Sequence, residues 1–340
     1  MLNALPTLRP TDRRFIDVHR LVSETLAART VALVEGGRAV LAAPVDGGEA
    51  MSDTLAISGP RAGHLGLGEG AALLHAPGAG RERLLALAMA DRPDLSGVVV
   101  TRGSRLADAA TELAKLAERL PAMCVIEGAP PAGMLSAAVE DVLAFRRSLA
   151  GTMAPVASAP VPLRAGATAR VTAFRNAIGG CASAVMMGEP RAGMLVRVHS
   201  SCITGDVFGS LKCDCGAQLD LALQRIGADG GVLIYTAQEG RGIGLVNKLR
   251  AYRLQDAGLD TVDANLALGY HDDERDYVAA AAILGHFGSG DVRLLTNNPL
   301  KVAGLAAAGL KVEAEPLITP ETSQNAQYLD TKRRRSGHTL

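Results

Sequence analysis

Three cysteines in the second half of the chain are close enough in sequence to hold one metal ion. Cys202, Cys213 and Cys215 follow the pattern Cys-x10-Cys-x-Cys, and no fourth cysteine or histidine stands at the spacing of a zinc finger. Three protein ligands with water in the fourth position are the arrangement of catalytic zinc. The spacing leaves buried thiols and redox-active thiols open as alternatives. His199 is a further candidate, as a metal ligand, a base or a substrate contact.

Two later segments have the composition of phosphate-binding turns. "QEGRGIG" (238–244) follows an apolar strand and precedes a helix, so its backbone N–H groups and Arg241 could meet phosphate oxygens. This segment matches neither the dinucleotide fingerprint nor the Walker motif. "TNNPLK" (296–301) also follows a strand and puts Thr296 and Lys301 at the edge of a sheet.

A charged segment, "HDDERDY" (271–277), allows two interpretations. It is typical of a solvated helix start, where acidic side chains are favourable. It could equally hold a carboxylate that moves protons beside an arginine that meets phosphate. Because this segment, the two turns and the three cysteines occur together within residues 166–340, the sequence favours one active site for a phosphate-bearing substrate.

The elements around these segments predict a mixed α/β fold (α+β) with two domains. Strand-like apolar stretches and amphipathic helices occur in both halves of the chain. The stretch 150–166 is rich in Pro, Ala, Gly and Ser, which is typical of a linker. We therefore predict an N-terminal α/β domain at 1–150, a linker at 151–165 and a catalytic domain at 166–340.

The composition argues against several classes of protein. Of the 340 residues, 48% are hydrophobic and 21% are charged, and the formal net charge of +0 disfavours a general nucleic-acid-binding surface. No stretch has the 18 apolar residues of a membrane span, and residues 1–15 do not predict a signal peptide. The odd number of cysteines does not suggest a disulfide framework. We expect a cytoplasmic protein that binds neither nucleic acid nor a membrane.

Five segments closely resemble GTP cyclohydrolase II, the family that opens the riboflavin pathway. They occur in the family's order and read "RVHSSCITGDVFGSLKCDCGAQL", "QEGRGIGLVNKLRAYRLQDAG", "ANLALGYHDDERDY", "LLTNNPLK" and "YLDTKRRRSGH". The resemblance implies a homodimeric hydrolase with one Zn²⁺ per subunit, held by the three cysteines, and Mg²⁺ on the GTP triphosphate. It also implies the products formate, pyrophosphate and 2,5-diamino-6-(5-phospho-ribosylamino)pyrimidin-4(3H)-one.

The resemblance further implies roles for individual residues. Asp273 matches the proton acceptor, Arg275 the nucleophile at the α-phosphorus, and Tyr252 a tyrosine near the ring-opening site that favours loss of formate. A protonated guanidinium is a poor nucleophile, so we expect Arg275 to stabilise charge on the α-phosphate. The positions that match GTP-binding residues are Arg197, Val198, His199, Ser200, Ser201, Gln218, Glu239, Gly240, Arg241, Thr261, Thr296 and Lys301.

One position departs from the family pattern. Ser201 stands where the family has glutamate in "HSEC", directly before a predicted zinc ligand. The substitution leaves open a paralogue that opens another purine or pyrimidine ring. A GTP-binding regulatory protein without turnover is a second alternative, which the intact cysteines and "DERD" disfavour.

The first half of the chain carries weaker signals. In many family members a 3,4-dihydroxy-2-butanone-4-phosphate synthase domain precedes this one and binds magnesium through an Arg-Glu-Asn-Glu-Gly-Asp segment. Here the matching stretch 31–44 contains Glu35 as its only acid, and 62–70 offers only His64 in place of a His-Thr-Gly-His type segment. Magnesium needs several oxygen ligands. We therefore expect a degenerate synthase or an unrelated scaffold, without synthase activity.

Overall fold

Two seven-stranded sheets organise the part of the chain that the computed structural model describes, residues 8–47, 51–164, 166, 168–337 and 339. Three sequence predictions include residues outside this part. They are residues 1–7 of the stretch in which we expect no signal peptide, residue 165 of the predicted linker, and residue 338 of the last segment that resembles the family. Unit 1 comprises Met1–Ser148 and Ile243–Glu274, and unit 2 comprises Leu149–Gly242 and Arg275–Leu340. Helices and a sheet occur in both units, which confirms the predicted mixed α/β class. No helix in the described ranges is both long and apolar enough to cross a bilayer.

Unit 1 is a mostly antiparallel sheet with helices packed on it. Its strands are β1 (Val31–Glu35), β2 (Arg38–Pro44), β3 (Thr54–Ile57), β4 (Ala72–His75), β5 (Val99–Arg102), β6 (Ala122–Glu127) and β7 (Ser136–Ala138). Its helices are α1 (Arg13–Leu26), α2 (Gly59–His64), α3 (Arg81–Met89), α4 (Arg105–Leu116), most of α5 (Val139–Ala150), α8 (Leu245–Asp256) and α9 (Thr261–Ala267). The strand order is β5-β4-β3-β6-β2-β1-β7, and among the described strands β1 and β7 pair in parallel while the other pairs are antiparallel. Helix α1 buries Phe15, Val18, Leu21 and Val22, which recur at the spacing of one helix face.

The segment 243–274 belongs to unit 1, although the sequence assigns it to the catalytic domain. Its helices α8 and α9 share one buried apolar cluster with Leu120, to which they contribute Ala251, Ala264 and Leu268. Hydrophobic burial of this kind joins segments that are far apart in sequence. The predicted domain 166–340 is thus interrupted in space by residues that pack with the first half of the chain.

Unit 2 is a half-parallel sheet flanked by helices. Its strands are β8 (Ala154–Pro162), β9 (Thr168–Arg175), β10 (Cys181–Met187), β11 (Met194–Ser200), β12 (Gly231–Thr236), β13 (Asp291–Leu295) and β14 (Lys311–Glu315). Its helices are α6 (Cys215–Asp229), the short turn α7 (Glu239–Gly242), α10 (Val278–His286), α11 (Pro299–Ala307) and α12 (Ala326–Ser336). The strand order is β14-β13-β11-β12-β10-β9-β8. Strands β14, β13, β11 and β12 are parallel, and β10, β9 and β8 continue the sheet in antiparallel pairs.

The stretch predicted as a linker contains the edge strand β8. This strand pairs with β9 from Ala154 to Pro162, with an irregularity between Pro155 and Ala157. All its residues are exposed, so it lacks the buried apolar positions that identify a strand in sequence. Prolines are tolerated at a sheet edge because an outward-facing N–H is not needed for pairing. Strand β8 thus occupies most of the range 151–165 that the sequence predicts as a linker.

The parallel strands of unit 2 create a crevice at one end of the sheet. The chain passes from β11 through α6 to the neighbouring strand β12, and later returns to β13 on the opposite side of β11. Ligands of open α/β sheets bind beyond the carboxyl ends of strands where the direction of winding reverses. The carboxyl ends of β11, β12 and β13 lead into the cysteine segment, "QEGRGIG" and "TNNPLK" respectively.

Candidate active site

The three cysteines converge at the carboxyl end of β11. Cys202 follows this strand, Cys215 begins α6, and a π-helical turn at Ile203–Val207 lies in the loop between them. The three sulfur atoms lie within 4.8 Å of one another, and the Sγ atoms of Cys202 and Cys213 are 3.7 Å apart. In the described ranges no other group of three His, Cys, Asp or Glu side chains is arranged to hold a metal ion.

The chemistry of this cluster fits a divalent metal ion. Contact with the other two cysteines is the main reason that the pKa of Cys215 is raised well above its ordinary value. The pKa of Cys213 is raised first by its contact with Cys202. Neighbouring thiols resist joint ionisation because their negative charges repel, whereas a bound cation deprotonates coordinating thiols outright. Soft thiolate ligands in a group of three suit zinc, which is the metal the sequence predicts.

Gly205 leaves just enough room for the three cysteines to meet. A Cβ atom at this position would lie 3.0 Å from Cys213 Sγ, 3.1 Å from Cys202 Sγ and 3.1 Å from Cys215 Cβ. Packed heavy atoms ordinarily sit about 3.5–4.0 Å apart. A side chain larger than hydrogen at residue 205 would therefore press on all three predicted ligands.

A buried carboxylate, Asp206, holds the cysteine loop against the sheet. Its Oδ2 accepts hydrogen bonds from the backbone N–H of Cys202 at 3.0 Å and from the hydroxyl of Tyr235 at 2.8 Å. Its oxygens also lie 3.2 Å from Nε2 of His199. Sequence reasoning missed Asp206, because an acid in a glycine-containing loop is common. Its position four residues after a predicted ligand was the available signal.

His199 is a partner of Asp206 and is absent from the group of possible metal ligands. The ring stacks on Tyr235 at a centroid distance of 5.6 Å, and its pKa is lowered mainly by burial, with Asp206 acting in the opposite direction. Since Nε2 faces a carboxylate, it carries the proton of the neutral ring. The opposite nitrogen, Nδ1, is then a buried acceptor with no hydrogen-bond partner in the described structure.

A chain of buried polar side chains begins at Arg197 on β11. Its Nη2 donates to Oε1 of Gln218 at 2.5 Å, and Nε2 of Gln218 donates to Asp214 at 2.6 Å. Lys332 of α12 donates to the other oxygen of Asp214 at 2.7 Å. Burial lowers the pKa of Arg197 to about 10, so the guanidinium stays charged at neutral pH. Asp214 and Lys332 were missed in the sequence, since nothing in their spacing relates them.

Strand β11 presents further polar atoms without partners. Nε of Arg197 and Oγ of Ser200 are buried and have no hydrogen-bond partner among the described residues, as is true of Nδ1 of His199. Buried polar groups are nearly always paired with protein, water or ligand. Arg197 and His199 are two residues apart and lie on one face of β11, so their atoms indicate a place where a polar ligand or ordered water binds.

The turn after β12 is tied to the cysteine loop. Oε2 of Glu239 accepts from the backbone N–H of Ile203 at 2.8 Å. Gly240 and Arg241 have φ angles of 61° and 63°, the left-handed region. For arginine this conformation is uncommon, and such residues cluster at functional sites. Ser201, the departure from the family pattern, donates its backbone N–H to Thr236 at the end of β12 at 2.9 Å.

The turn after β13 reaches the same end of the sheet. Lys301 is buried, and its Nζ donates to the backbone carbonyl of Val198 at 2.7 Å. Thr296 accepts the backbone N–H of Asn298 at 3.0 Å. Arg275 lies near enough to lower the pKa of Arg197, and its guanidinium sits 5.8 Å from the centre of the Tyr277 ring. Unit 2 thus brings together the predicted positions at the ends of β11, β12 and β13.

Three predicted residues lie in unit 1 instead. Tyr252 is half-buried on α8, where Nζ of Lys248 lies 5.8 Å from the centre of its ring. Thr261 is the first residue of α9, which Asp260 caps by accepting the backbone N–H of Asp263. Asp273 lies in the loop that follows α9, outside any helix, and α10 begins at Val278, directly after the segment 271–277.

Comparison with known proteins decides the family. The family described as GTP cyclohydrolase II matches residues 154–316, a range that begins with strand β8. The GTP cyclohydrolase-2 of Azospirillum brasilense is 46% identical over 264 residues, which cover 73% of this chain and 68% of that protein. The chain belongs to the GTP cyclohydrolase II family. The predicted assignment to this hydrolase family of riboflavin biosynthesis is thereby confirmed.

The chain matches different shares of the length of its relatives in the GTP cyclohydrolase II family. The match to the Azospirillum protein covers 73% of this chain, which is a larger share than the residues after Ser148 make up. This match therefore extends into the first 148 residues. The riboflavin biosynthesis protein RibBA of Staphylococcus haemolyticus is 53% identical over 45% of this chain and 39% of that protein. RibBA of Bacillus subtilis is 46% identical over 59% and 52%, so the chain spans about half or less of these two relatives.

One solved structure resembles the chain weakly. It is the two-domain 3,4-dihydroxy-2-butanone 4-phosphate synthase RibBX from A. baumannii, with 18% identity and a TM-score of 0.31. The alignment covers 89% of this chain and 99% of that one. Similarity at this level carries no argument about the activity of either unit.

Proposed function

We propose that this chain hydrolyses GTP to formate, pyrophosphate and 2,5-diamino-6-(5-phospho-ribosylamino)pyrimidin-4(3H)-one, with zinc held by the three cysteines. The observation that carries the proposal is the convergence of three sulfur atoms within 4.8 Å at the carboxyl end of β11. Among the described residues, Nε of Arg197 and Nδ1 of His199 on one face of the same strand are buried without hydrogen-bond partners, which supports a polar ligand there.

Zinc bound to Cys202, Cys213 and Cys215 would supply a Lewis acid and an acidified water for attack on guanine C8. Two residues beside the cysteines shape this predicted metal site. Asp206 fixes Cys202 through its backbone N–H, and Gly205 keeps the centre of the cluster open. Outer contacts of this kind orient ligands and tune a metal site.

Recognition of GTP rests on the charged and polar groups around β11. Lys301, Arg241 and Arg275 provide positive charge for the triphosphate, which also brings its own Mg²⁺ with few protein ligands. Glu239 is a candidate reader of the guanine edge. Gln218 gives its amide oxygen to Arg197 and an amide hydrogen to Asp214, so we assign it mainly to orienting Arg197.

Proton transfer and phosphate chemistry are assigned by motif. Asp273 is the proposed proton acceptor, and Arg275, two residues later, is proposed to stabilise charge on the α-phosphate. Tyr252 is proposed to assist ring opening, and Thr261 to contact GTP. We further propose a cytoplasmic homodimer, as the family resemblance implies.

The test is a product balance on purified protein with GTP, Zn²⁺ and Mg²⁺. We expect formate and pyrophosphate in equal amounts, with growth of the absorbance of a diaminopyrimidine. Pyrophosphate without formate would show that the reaction stops at a formylated pyrimidine and that Tyr252 was misassigned. Release of neither product would refute the proposal and favour the paralogue suggested by Ser201 or a GTP-binding regulator.

A further inference from the structure

The segment that leads to Asp273 is held by side chains of the first 148 residues. Oγ of Ser58 donates to the carbonyl of Gly269 at 2.6 Å. The fully buried Arg61 donates from Nη1 to the carbonyl of Ala267 at 2.8 Å, while its other nitrogens donate to carbonyls at the end of α3. These bonds fix the carboxyl end of α9, where the loop to Asp273 begins.

A second anchor, Lys115 on α4, holds the far end of that loop. Its Nζ lies 2.5 Å from Oε1 of Glu274, and the two side chains are 9% and 11% exposed. The same oxygen accepts the backbone N–H of His271 at 2.9 Å, so one carboxylate closes the loop 271–274 on itself. Nζ of Lys115 also lies 5.7 Å from the centre of the Tyr270 ring.

The start of the loop is fixed as firmly as its end. The hydroxyl of Tyr270 donates to the carbonyl of Arg119 at 2.6 Å and accepts from Asn247 at 2.9 Å. Asn265 donates to the carbonyl of Asp272 at 3.4 Å. The loop 271–274 therefore has defined contacts on both sides of Asp273, all within unit 1.

A buried ion pair is a costly way to gain stability, because both charges lose their hydration. Apolar side chains of similar size would stabilise the fold equally well, whereas a charged hydrogen bond also fixes the orientation of the two groups that it joins. We propose that Lys115 is a positioning residue for the cyclohydrolase reaction. Through Glu274 it fixes the loop that carries Asp273, an inference that rests on the proposed role of Asp273. The first 148 residues then serve the reaction as the scaffold of a catalytic loop.

The test compares two variants of the full chain with changes on the same helix. Lys115→Met removes the proposed anchor, and Arg105→Met removes the ion pair of Arg105, the first residue of α4, with Glu35 of β1, 2.8 Å apart. For Lys115→Met we expect kcat for formate release to fall on the order of 100-fold, as misplaced catalytic groups do. KM for GTP and bound zinc should stay close to the wild-type values, because Lys115 belongs neither to the cysteine cluster nor to the proposed GTP-binding positions. Arg105→Met should keep kcat, and Lys115→Arg should recover most of the kcat that Lys115→Met loses.

A second readout does not depend on activity. Hydrogen exchange of the backbone amides of 271–274 should quicken in Lys115→Met and remain slow in Arg105→Met. If Lys115→Met fails to fold, Glu274→Gln keeps an acceptor for the His271 N–H, and it should show the same loss of kcat. Unchanged exchange and equal kcat in Lys115→Met and Arg105→Met would overturn the inference. A wild-type chain that releases no formate would instead refute the proposed function, while the exchange comparison still decides whether Lys115 fixes the loop.

Discussion

Replacing Gly205 with alanine tests whether the three cysteines form one closely packed metal site. The new methyl carbon would lie 3.0–3.1 Å from two sulfur atoms and one Cβ of the cluster. Ordinary contacts between such atoms are about 3.5–4.0 Å, so roughly half an ångström of overlap arises on three sides at once. Overpacking of this kind costs about 1–3 kcal/mol. Because about 1.4 kcal/mol equals a factor of ten, zinc affinity should fall roughly 5- to 150-fold if the ligands must move apart.

The assay is competition for zinc between the protein and a chromogenic chelator, with formate release measured in parallel. Gly227→Ala is the matched control, because residue 227 lies in α6 with Cys215 and its Cβ would meet only Met187 Sδ at 3.6 Å. This control should bind zinc normally and gain about 0.4–1 kcal/mol of unfolding free energy. Equal zinc affinity in wild type and Gly205→Ala would refute the packing argument.

Three further predictions concern the groups around β11. Asp206→Asn should lower zinc affinity or kcat about 10- to 100-fold, because it weakens the support of Cys202; chelator competition and formate release measure both. Lys301→Met should raise KM for GTP roughly 10- to 150-fold by loss of a charged contact, whereas the exposed Lys311→Met should leave KM unchanged. Burial lowers the pKa of His199 in the folded state. The contribution of neutral His199 to the unfolding free energy of the metal-free protein should therefore be complete above pH ~6.5 and should decline below that pH by at most about 1.4 kcal/mol per pH unit. Urea titrations from pH 7.5 to 5 should show a flatter decline for His199→Gln; an equal slope would contradict this assignment.

The parts of the site that the sequence predicts are those with short-range patterns. The cysteines stand within one short segment, and glycine-rich or threonine-containing turns after apolar strands mark the ends of β12 and β13. These patterns depend on residues that are neighbours in the chain, so they can be recognised without knowledge of tertiary contacts.

The contacts that were missed join residues far apart in the chain. Lys332 meets Asp214, which is more than a hundred positions away, and Arg61 meets the carbonyl of Ala267. Nothing in local composition relates such pairs, since their meeting is decided by how the elements pack. The edge strand β8 was missed for a different reason, namely that its exposed, proline-containing sequence carries no hydrophobic alternation.

The packing of α8 and α9 in unit 1 also could not be read from the sequence. The apolar faces of α8 and α9 predict helices but not the surface on which these helices pack. The apolar surface around Leu120 can pack against any apolar helix face of suitable shape. Ser58 and Lys115, from the first half of the chain, thereby contact residues 269 and 274 on either side of Asp273.

The central claim is that a zinc ion on three cysteines opens the guanine ring, and one comparison tests it directly. Metal content and formate release should be measured on wild type, Cys213→Ser and Cys124→Ser, the last being a buried cysteine of the unit 1 core. We predict one zinc per chain and formate release for wild type and Cys124→Ser, and neither for Cys213→Ser. Formate release by zinc-free Cys213→Ser at the wild-type rate would contradict the claim.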